Sequence, residues 1–325
     1  MTQPVFRIAD QTATRGRRTH LEIPIARLMS GTPVALPVIV PNGKHDGPIV
    51  WVNAAIHGDE IGGVEIIRRV LESVDVKTLR GTIVAVPIVN VHGFNNSDRY
   101  FPDRRDLNRS FPGSARGSLA SRVAHLMMTE IVQQCSVGID LHTGSDHRSN
   151  LPQIRADLDD TQTLAFAEVF GAPIAIHSRT RDGSLRHAAT DAGATVLLYE
   201  AGEALRFDHT AIETGAIGVL RVLAHLEMID EVAPPLAPTV LSRSTKWTRS
   251  SRSGILHASV ALGDHVAKGS ELAVIRDPFG KLLGRMKAPV TGVVIGSNEH
   301  PLVNRGDAVF HVAATDEPVE VEVVA

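Results

Sequence analysis

The chain has 325 residues, with 33 Lys and Arg against 36 Asp and Glu and a formal charge of −3. Hydrophobic residues make up 43% and charged residues 21%, an ordinary globular composition. Charges of both signs are dispersed, which argues against a nucleic-acid footprint, and no apolar run approaches the ~18 residues of a membrane span. The short basic cluster Arg15, Arg17 and Arg18 reads as solvated surface. The amino terminus shows no apolar stretch of the signal-peptide kind. One cysteine, Cys135, excludes an intrachain disulfide and fits a reducing, cytoplasmic setting. Its apolar neighbours predict a buried, inert thiol.

Residues 1 to about 45 read as strands and turns, with Thr19–Ile25 and Pro33–Val40 extended and Pro41-Asn42-Gly43 as the closing turn. Strands then alternate with helices. The strands are Ile49–Ala55, Thr82–Val89, Val137–Leu141, Ile174–Ile176 and Thr195–Tyr199. The helices are Glu60–Ser73, Leu119–Gln134, Thr161–Phe170, Ser184–Ala192 and His209–Met228. Such alternation predicts an α/β domain with helices on both faces of a sheet. Long loops are expected between Asn90 and Ala115 and between Thr143 and Leu158, where function is common.

The proline-rich run Val232-Ala233-Pro234-Pro235-Leu236-Ala237-Pro238 marks a domain boundary, giving domains over 1–232 and 239–325. Beyond it the pattern is all-β and carries an internal repeat. Gly254-Ile255-Leu256 returns as Gly292-Val293-Val294, and Val266–Leu272 returns as Val303–Val309. This tail resembles the two half-motifs of a biotinyl/lipoyl-type sandwich, with Asp277-Pro278-Phe279-Gly280-Lys281 as the hairpin tip. The Met-Lys-Met of biotin acceptors is missing there, and Met286-Lys287 lies on the strand side of that landmark. The tail therefore reads as a structural or access-shaping module rather than a carrier.

Asn53-Ala54-Ala55-Ile56-His57-Gly58-Asp59-Glu60 stands where a buried strand gives way to a helix. An imidazole and a carboxylate three residues apart on that turn can converge on one cation. Mixed nitrogen and oxygen ligation suits zinc, whose catalytic sites take three protein ligands and keep one open position. His142, at the end of the strand Val137–Leu141, is the candidate third ligand, since open α/β sheets place their sites at strand carboxyl ends. Asp140 lies two residues earlier on the same face and can orient that imidazole. One zinc per chain is expected, on His57, Glu60 and His142. His92, His147, His177 and His187 carry no comparable signal.

Four segments in this order, His57-Gly58-Asp59-Glu60, Asp106-Leu107-Asn108-Arg109, the lone His142 after a strand, and Glu200 late in the domain, resemble the succinylglutamate desuccinylase and aspartoacylase family. That family is a branch of the zinc carboxypeptidase superfamily. The resemblance covers roughly the first two thirds of the chain. It implies a zinc-carboxypeptidase-like fold, a mixed sheet flanked by helices, and an amidohydrolase acting on a small N-acylated amino acid. Glu200 would be the general base; it ends an otherwise apolar strand, where an unpaired charge is costly. Glu203 is the runner-up. Asn108 and Arg109 would clamp the substrate carboxylate, because a guanidinium binds it in two parallel hydrogen bonds. Arg99 would polarise the scissile carbonyl, with Arg104 and Arg105 competing for that role. Asp59 stands where aspartoacylases have Asn, which leaves the metal site intact and the substrate open. A metallopeptidase or esterase with the same site, and a non-catalytic zinc-binding or carrier-type protein, are the rival readings. A homo-oligomer is compatible with the sequence, and neither nucleic acid nor membrane is expected as a partner.

Overall fold

The computed structural model describes residues 5–145 and 147–315. The outer ends of both expected domains, residues 1–4 and 316–325, lie outside the described residues. Strands β1 (Phe6–Ile8) and β2 (Gln11–Ala13) form a small antiparallel pair. A β-hairpin of β3 (Arg17–Arg27) and β4 (Pro33–Asn42) follows, then β5 (His45–Ala54), α1 (Gly62–Ser73) and β6 (Arg80–Val86). The short helix α2 (Val91–Asn96) and α3 (Leu119–Leu126) lead to β7 (Val137–Gly144) and β8 (Arg148–Ala156). After them come α4 (Thr161–Phe170), β9 (Ile174–His177), α5 (Leu185–Asp191), β10 (Thr195–Glu203) and α6 (His209–His225).

The sheet is mixed. Its centre, β6-β5-β7-β10, is parallel, whereas β8 runs antiparallel to β10 and β3-β4 continue the other side antiparallel. Central parallel strands are covered on both faces, which is why β7 is buried along its whole length and β5 reads as a continuous apolar run. One core joins α1, α4 and α6 to the sheet through Ile66, Phe170, Tyr199 and Val219. The opposite face packs Trp51, Val84, Leu107 and Met127 under α3 and α5. The helices lie on both faces, as the alternation predicts.

Several expectations need correction, and the stretch from Asn90 to Ala115, expected as a loop, opens with α2. The stretch from Thr143 to Leu158 is not a loop, because residues 148–156 form β8 in the middle of the sheet. Asn150, Pro152 and Gln153 break the apolar alternation, and only the strands on either side reveal the pairing. The single helix expected over Leu119–Gln134 is α-helical only to Leu126; Met127–Ile131 widens to π geometry and Val132–Gln134 tightens to a 3-10 turn. Thr129 Oγ1 donates to His125 O there at 3.0 Å, the back-bonding that disturbs helices.

Beyond the proline-rich segment lie β11 (Val240–Ser242), β12 (Thr245–Arg249), β13 (Gly254–Ala258), β14 (His265–Val266), β15 (Glu271–Arg276), β16 (Leu282–Lys287), β17 (Gly292–Asn298), β18 (Leu302–Val303) and β19 (Ala308–Ala314). Strands β16-β15-β13-β18 make a separate sheet. Strand β17 instead joins the main sheet, pairing antiparallel with β8, and carries β19 and β12 with it. Asp277–Lys281 does form a hairpin turn, with Asp277 N donating to Lys281 O and Gly280 N to Asp277 O, each at 3.0 Å. No described helix is long and apolar enough to cross a membrane.

Candidate metal and substrate site

Close packing of α1 on the sheet creates the site. A Cβ on Gly63 would stand 2.7 Å from the Ala54 Cβ and 2.8 Å from the Leu141 Cβ, so the start of the helix presses against β5 and β7. A Cβ on Gly58 would lie 2.1 Å from the Gly93 backbone, which fixes the turn carrying His57. Glu60 is thereby brought beside His142, at the carboxyl end of β7.

His57, Glu60 and His142 are all buried. The Nδ1 atoms of both histidines lie 2.7 Å from the Glu60 carboxylate, His57 at Oε1 and His142 at Oε2. The opposite ring nitrogens meet other carboxylates. His57 Nε2 is 3.2 Å from Asp106 Oδ1, and His142 Nε2 is 3.0 Å from Asp140 Oδ2. Behind Asp140 the chain of contacts continues: Asn53 Nδ2 donates to Asp140 Oδ1 at 2.7 Å, and Trp51 Nε1 donates to Asn53 Oδ1 at 2.9 Å.

These groups fit a metal ion. The buried Nδ1 of His57 has no hydrogen-bond partner of good geometry, although a carboxylate oxygen is close. Three ligating atoms lie within 4.8 Å of one another. Anchoring the far ring nitrogen on a carboxylate is the usual support of a metal-ligating histidine. Electrostatics agree. Burial opposes charge on both histidines, yet Glu60 beside His57, and Asp140 with Glu60 around His142, outweigh it and raise their pKa values. Burial likewise opposes ionisation of Glu60, but the two imidazoles hold its pKa well below the usual carboxylate range. Asp106 is half-buried; burial opposes its ionisation, but His57 and Arg99 beside it bring its pKa down to about 2. Positive charge is wanted at this point, and a divalent cation can supply it. A second group, Asp157, Asp159 and His177, is largely exposed, and Arg243 already pairs with Asp159.

A cavity of about 270 Å³ opens over the cluster, lined by His57, Glu60 and His142 together with Arg99, Asn108, Arg109 and Glu200. The first-choice residues from the sequence thus line one cavity, apart from Asp140, which stands directly behind His142, whereas the alternatives Glu203, Arg104 and Arg105 do not line it. Glu200 lies in register with His142 on the neighbouring parallel strand, so the two side chains share a face. Tyr199 points the other way, buried, with its hydroxyl donating to Ala211 O at 2.7 Å. Glu203 is tied to Arg206 instead and lines no part of this cavity. Arg99 donates from Nη1 to Glu60 Oε1 at 2.8 Å, while Arg105 pairs with Asp103 away from the site and Arg104 is exposed. Asn108 Oδ1 accepts from Leu185 N at 2.9 Å, which fixes its amide beside Arg109. Cys135 is buried, and burial pushes its thiol up to about 12.

Sequence reasoning passed over several residues that line the cavity or brace its lining. Asp106 sits inside a motif that was quoted, and its role as partner of His57 appears only in three dimensions. Asn150 and Arg155 contact Glu200 from the strand first read as a loop. Arg179 and Arg181 reach the cavity from the connection between β9 and α5, and Arg186 from the first turn of α5. Their clustering just after a strand end was the available signal. Arg186 is structural in part: it donates to the carbonyls of Arg155 and Arg179, and burial followed by the Arg155 charge lowers it to about 10.

An α/β sheet with such a centre at its strand carboxyl ends is the architecture that the four motifs anticipate. Residues 46–226 match the model of the succinylglutamate desuccinylase/aspartoacylase catalytic domain, and the chain belongs to that family. It is 26% identical to the N-alpha-acetyl-L-2,4-diaminobutyric acid deacetylase of Halomonas elongata, over 97% of this chain and 96% of that protein. A succinylglutamate desuccinylase/aspartoacylase structure from Rhodobacter sphaeroides superposes with a TM-score of 0.80 at 26% identity, covering 91% of this chain and 94% of the other. The fold is also that of the product-bound ectoine utilization protein EutE (DoeB) from Ruegeria pomeroyi, with a TM-score of 0.82, 24% identity, and 92% and 95% coverage.

Proposed function

We propose that the protein is a zinc-dependent hydrolase that cleaves the amide bond of a small N-acyl amino acid. The observation that carries this reading is the pair of Nδ1 atoms converging on Glu60, each imidazole braced by its own carboxylate, with Glu200 across the same cavity. His57, Glu60 and His142 would hold the ion. When bound, zinc supplies a Lewis acid and lowers the pKa of water toward neutrality. Glu200 takes a proton from the attacking water at its carboxylate and returns it to the departing amine nitrogen. Arg99, held against Glu60, directs positive charge at the oxygen that gains charge in the transition state. Arg109, with Asn108 beside it, binds the substrate carboxylate and sets the amide over the cluster.

Charge in the cavity bears on the substrate. Arg99, Arg109, Arg155, Arg179, Arg181 and Arg186 line it against Glu60 and Glu200. Among the described residues, Arg179 and Arg181 have no ion-pair partner. A side chain or acyl group bearing a carboxylate therefore suits the cavity better than the ammonium that diaminobutyrate carries in the Halomonas enzyme's substrate.

Two measurements test this reading. Elemental analysis of the purified protein is expected to find about one zinc per chain, as for three ligands and an open position. His57→Ala and His142→Ala should both lose it, and full occupancy in both would remove the site. Turnover should then be measured on N-acetyl and N-succinyl amino acids, dipeptides and simple esters. Cleavage confined to dipeptides or esters would move the protein to another substrate class.

A further inference from the structure

Glu200 is hydrogen-bonded at one oxygen and ion-paired at the other. Asn150 Nδ2 donates to Oε1 at 3.0 Å, and Arg155 Nε lies 2.5 Å from Oε2. Both partners come from β8, and β10 is irregular just after Glu200, between Glu200 and Glu203 in its pairing with β7 and between Glu200 and Gly202 in its pairing with β8. The strand sets the face on which Glu200 lies, but the irregularity just beyond it ends the regular ladder there, so the carboxylate depends on side-chain partners for its final orientation. Asn150 stands between two glycines, across from Gly202 on β10 and across from Gly296 on β17. A Cβ on Gly296 would lie 3.0 Å from Asn150 Oδ1 and 3.2 Å from the His311 Cβ. Strand β17 therefore packs against the amide that holds the carboxylate. Gln153, the β8 residue in register with Glu200, donates from Nε2 to Ile295 O on the same strand. His311 on β19 completes this wall, stacked on Trp247 at 4.4 Å between ring centroids. Burial, then the charge of Arg155, pushes His311 down to about 3. It therefore adds no second cation beside Arg155.

We infer that Asn150 and Arg155 are positioning residues for Glu200, and that β17 and β19, from beyond the proline-rich segment, form the wall that keeps them in place. The inference rests on Glu200 being the general base. It assigns the C-terminal strands a part in turnover although none of their described residues lines the cavity. A carboxylate free to rotate would lose its alignment with water, and misplacement of about 1 Å can cost on the order of 10² in rate.

The test compares Asn150→Ala, Arg155→Met and Gly296→Ala in the full-length zinc-loaded protein, each alone and combined with Glu200→Gln. Thermal melting and zinc content confirm that each variant is folded. Asn150→Ala and Arg155→Met are expected to lower kcat by about tenfold or more with KM within about threefold. Arg155→Lys should recover part of the loss, because it keeps the charge. Gly296→Ala should cost severalfold in kcat. On the Glu200→Gln background the further loss should vanish, since no base is left to position. Full losses repeated on that background would mean that the residues act on the substrate or the fold, and the inference would fail. Wild-type kcat in folded single variants, Gly296→Ala included, would overturn it too. Unimpaired turnover in Glu200→Gln itself would instead defeat the assignment of the base, a result distinct from either.

Discussion

Arg109 and Cys135 show how differently single residues can be tested here. Arg109 donates from Nη1 to the Asn108 carbonyl and lines the cavity. Arg109→Lys replaces a planar fork by a point charge, so KM for an N-acyl amino acid should rise about tenfold. Amidating the substrate carboxylate should abolish most of that difference, because no anion is left to clamp. Equal effects on the two substrates would mean that Arg109 only anchors its loop. Cys135 supplies a pH expectation. Its folded pKa is raised to about 12 by burial, so the neutral thiol dominates at every pH below that. Alkylation at pH 8 should be negligible in the folded protein and fast in urea, where the thiol returns to its ordinary value near 8.5. Rapid labelling without denaturant would show that the thiol is reachable and ionised.

Among the elements, β5 and β7 carry the most precise packing. Gly138 lies in register with Trp51, and a Cβ there would fall 1.9 Å from the indole ring. That ring donates to Asn53, which holds Asp140, which faces His142. Gly138→Ala should therefore lower stability by about 2–3 kcal/mol, the upper part of the range for overpacking. It should also weaken zinc binding by about 10-fold or more, as loss of a ligand's outer support does. A urea titration and a competitive chelator assay check the two halves. A stability loss with unchanged zinc affinity would show that the indole does not carry its displacement to His142. The internal repeat near the C-terminus has a counterpart in structure. Each copy is a two-residue strand, a turn closed by a glycine at positive φ (Gly269 at 89°, Gly306 at 98°), and a longer strand, β15 or β19. The repeated Gly answers the turn, where an L side chain would be strained.

Across the molecule, the main sheet crosses the proline-rich segment. Val293, Ile295 and Ala313 bury Leu151, Ile174 and Ile176 of the first part of the chain, and β11 pairs with β9. A chain ended at Pro235 keeps His57, Glu60, His142 and Glu200 but uncovers that apolar cluster and the β8 edge beside Asn150. Exposed edges of this kind promote association. The shortened chain should show a lower urea midpoint and aggregate on size-exclusion chromatography. A monomer of wild-type midpoint would mean that the two parts are energetically independent.

Local chemistry made the convergence of His57, Glu60 and His142 legible in advance. His57 with Glu60 on a strand-to-helix turn, and His142 with Asp140 at period two, are short-range patterns whose side chains converge by backbone geometry alone. The α/β alternation was readable for the same reason, since periodicity is a property of contiguous residues. Asn150, Arg155 and β17 were not. Strand β8 is polar where it meets Glu200 and contains Pro152, so its extended form is stabilised by neighbours far away in the chain rather than by its own pattern. Asp106 reaches His57 across 49 positions, and Gly296 meets Asn150 across 146. Contacts at such separations leave no period in the sequence; they exist because a cooperative sheet brings both strands to one place.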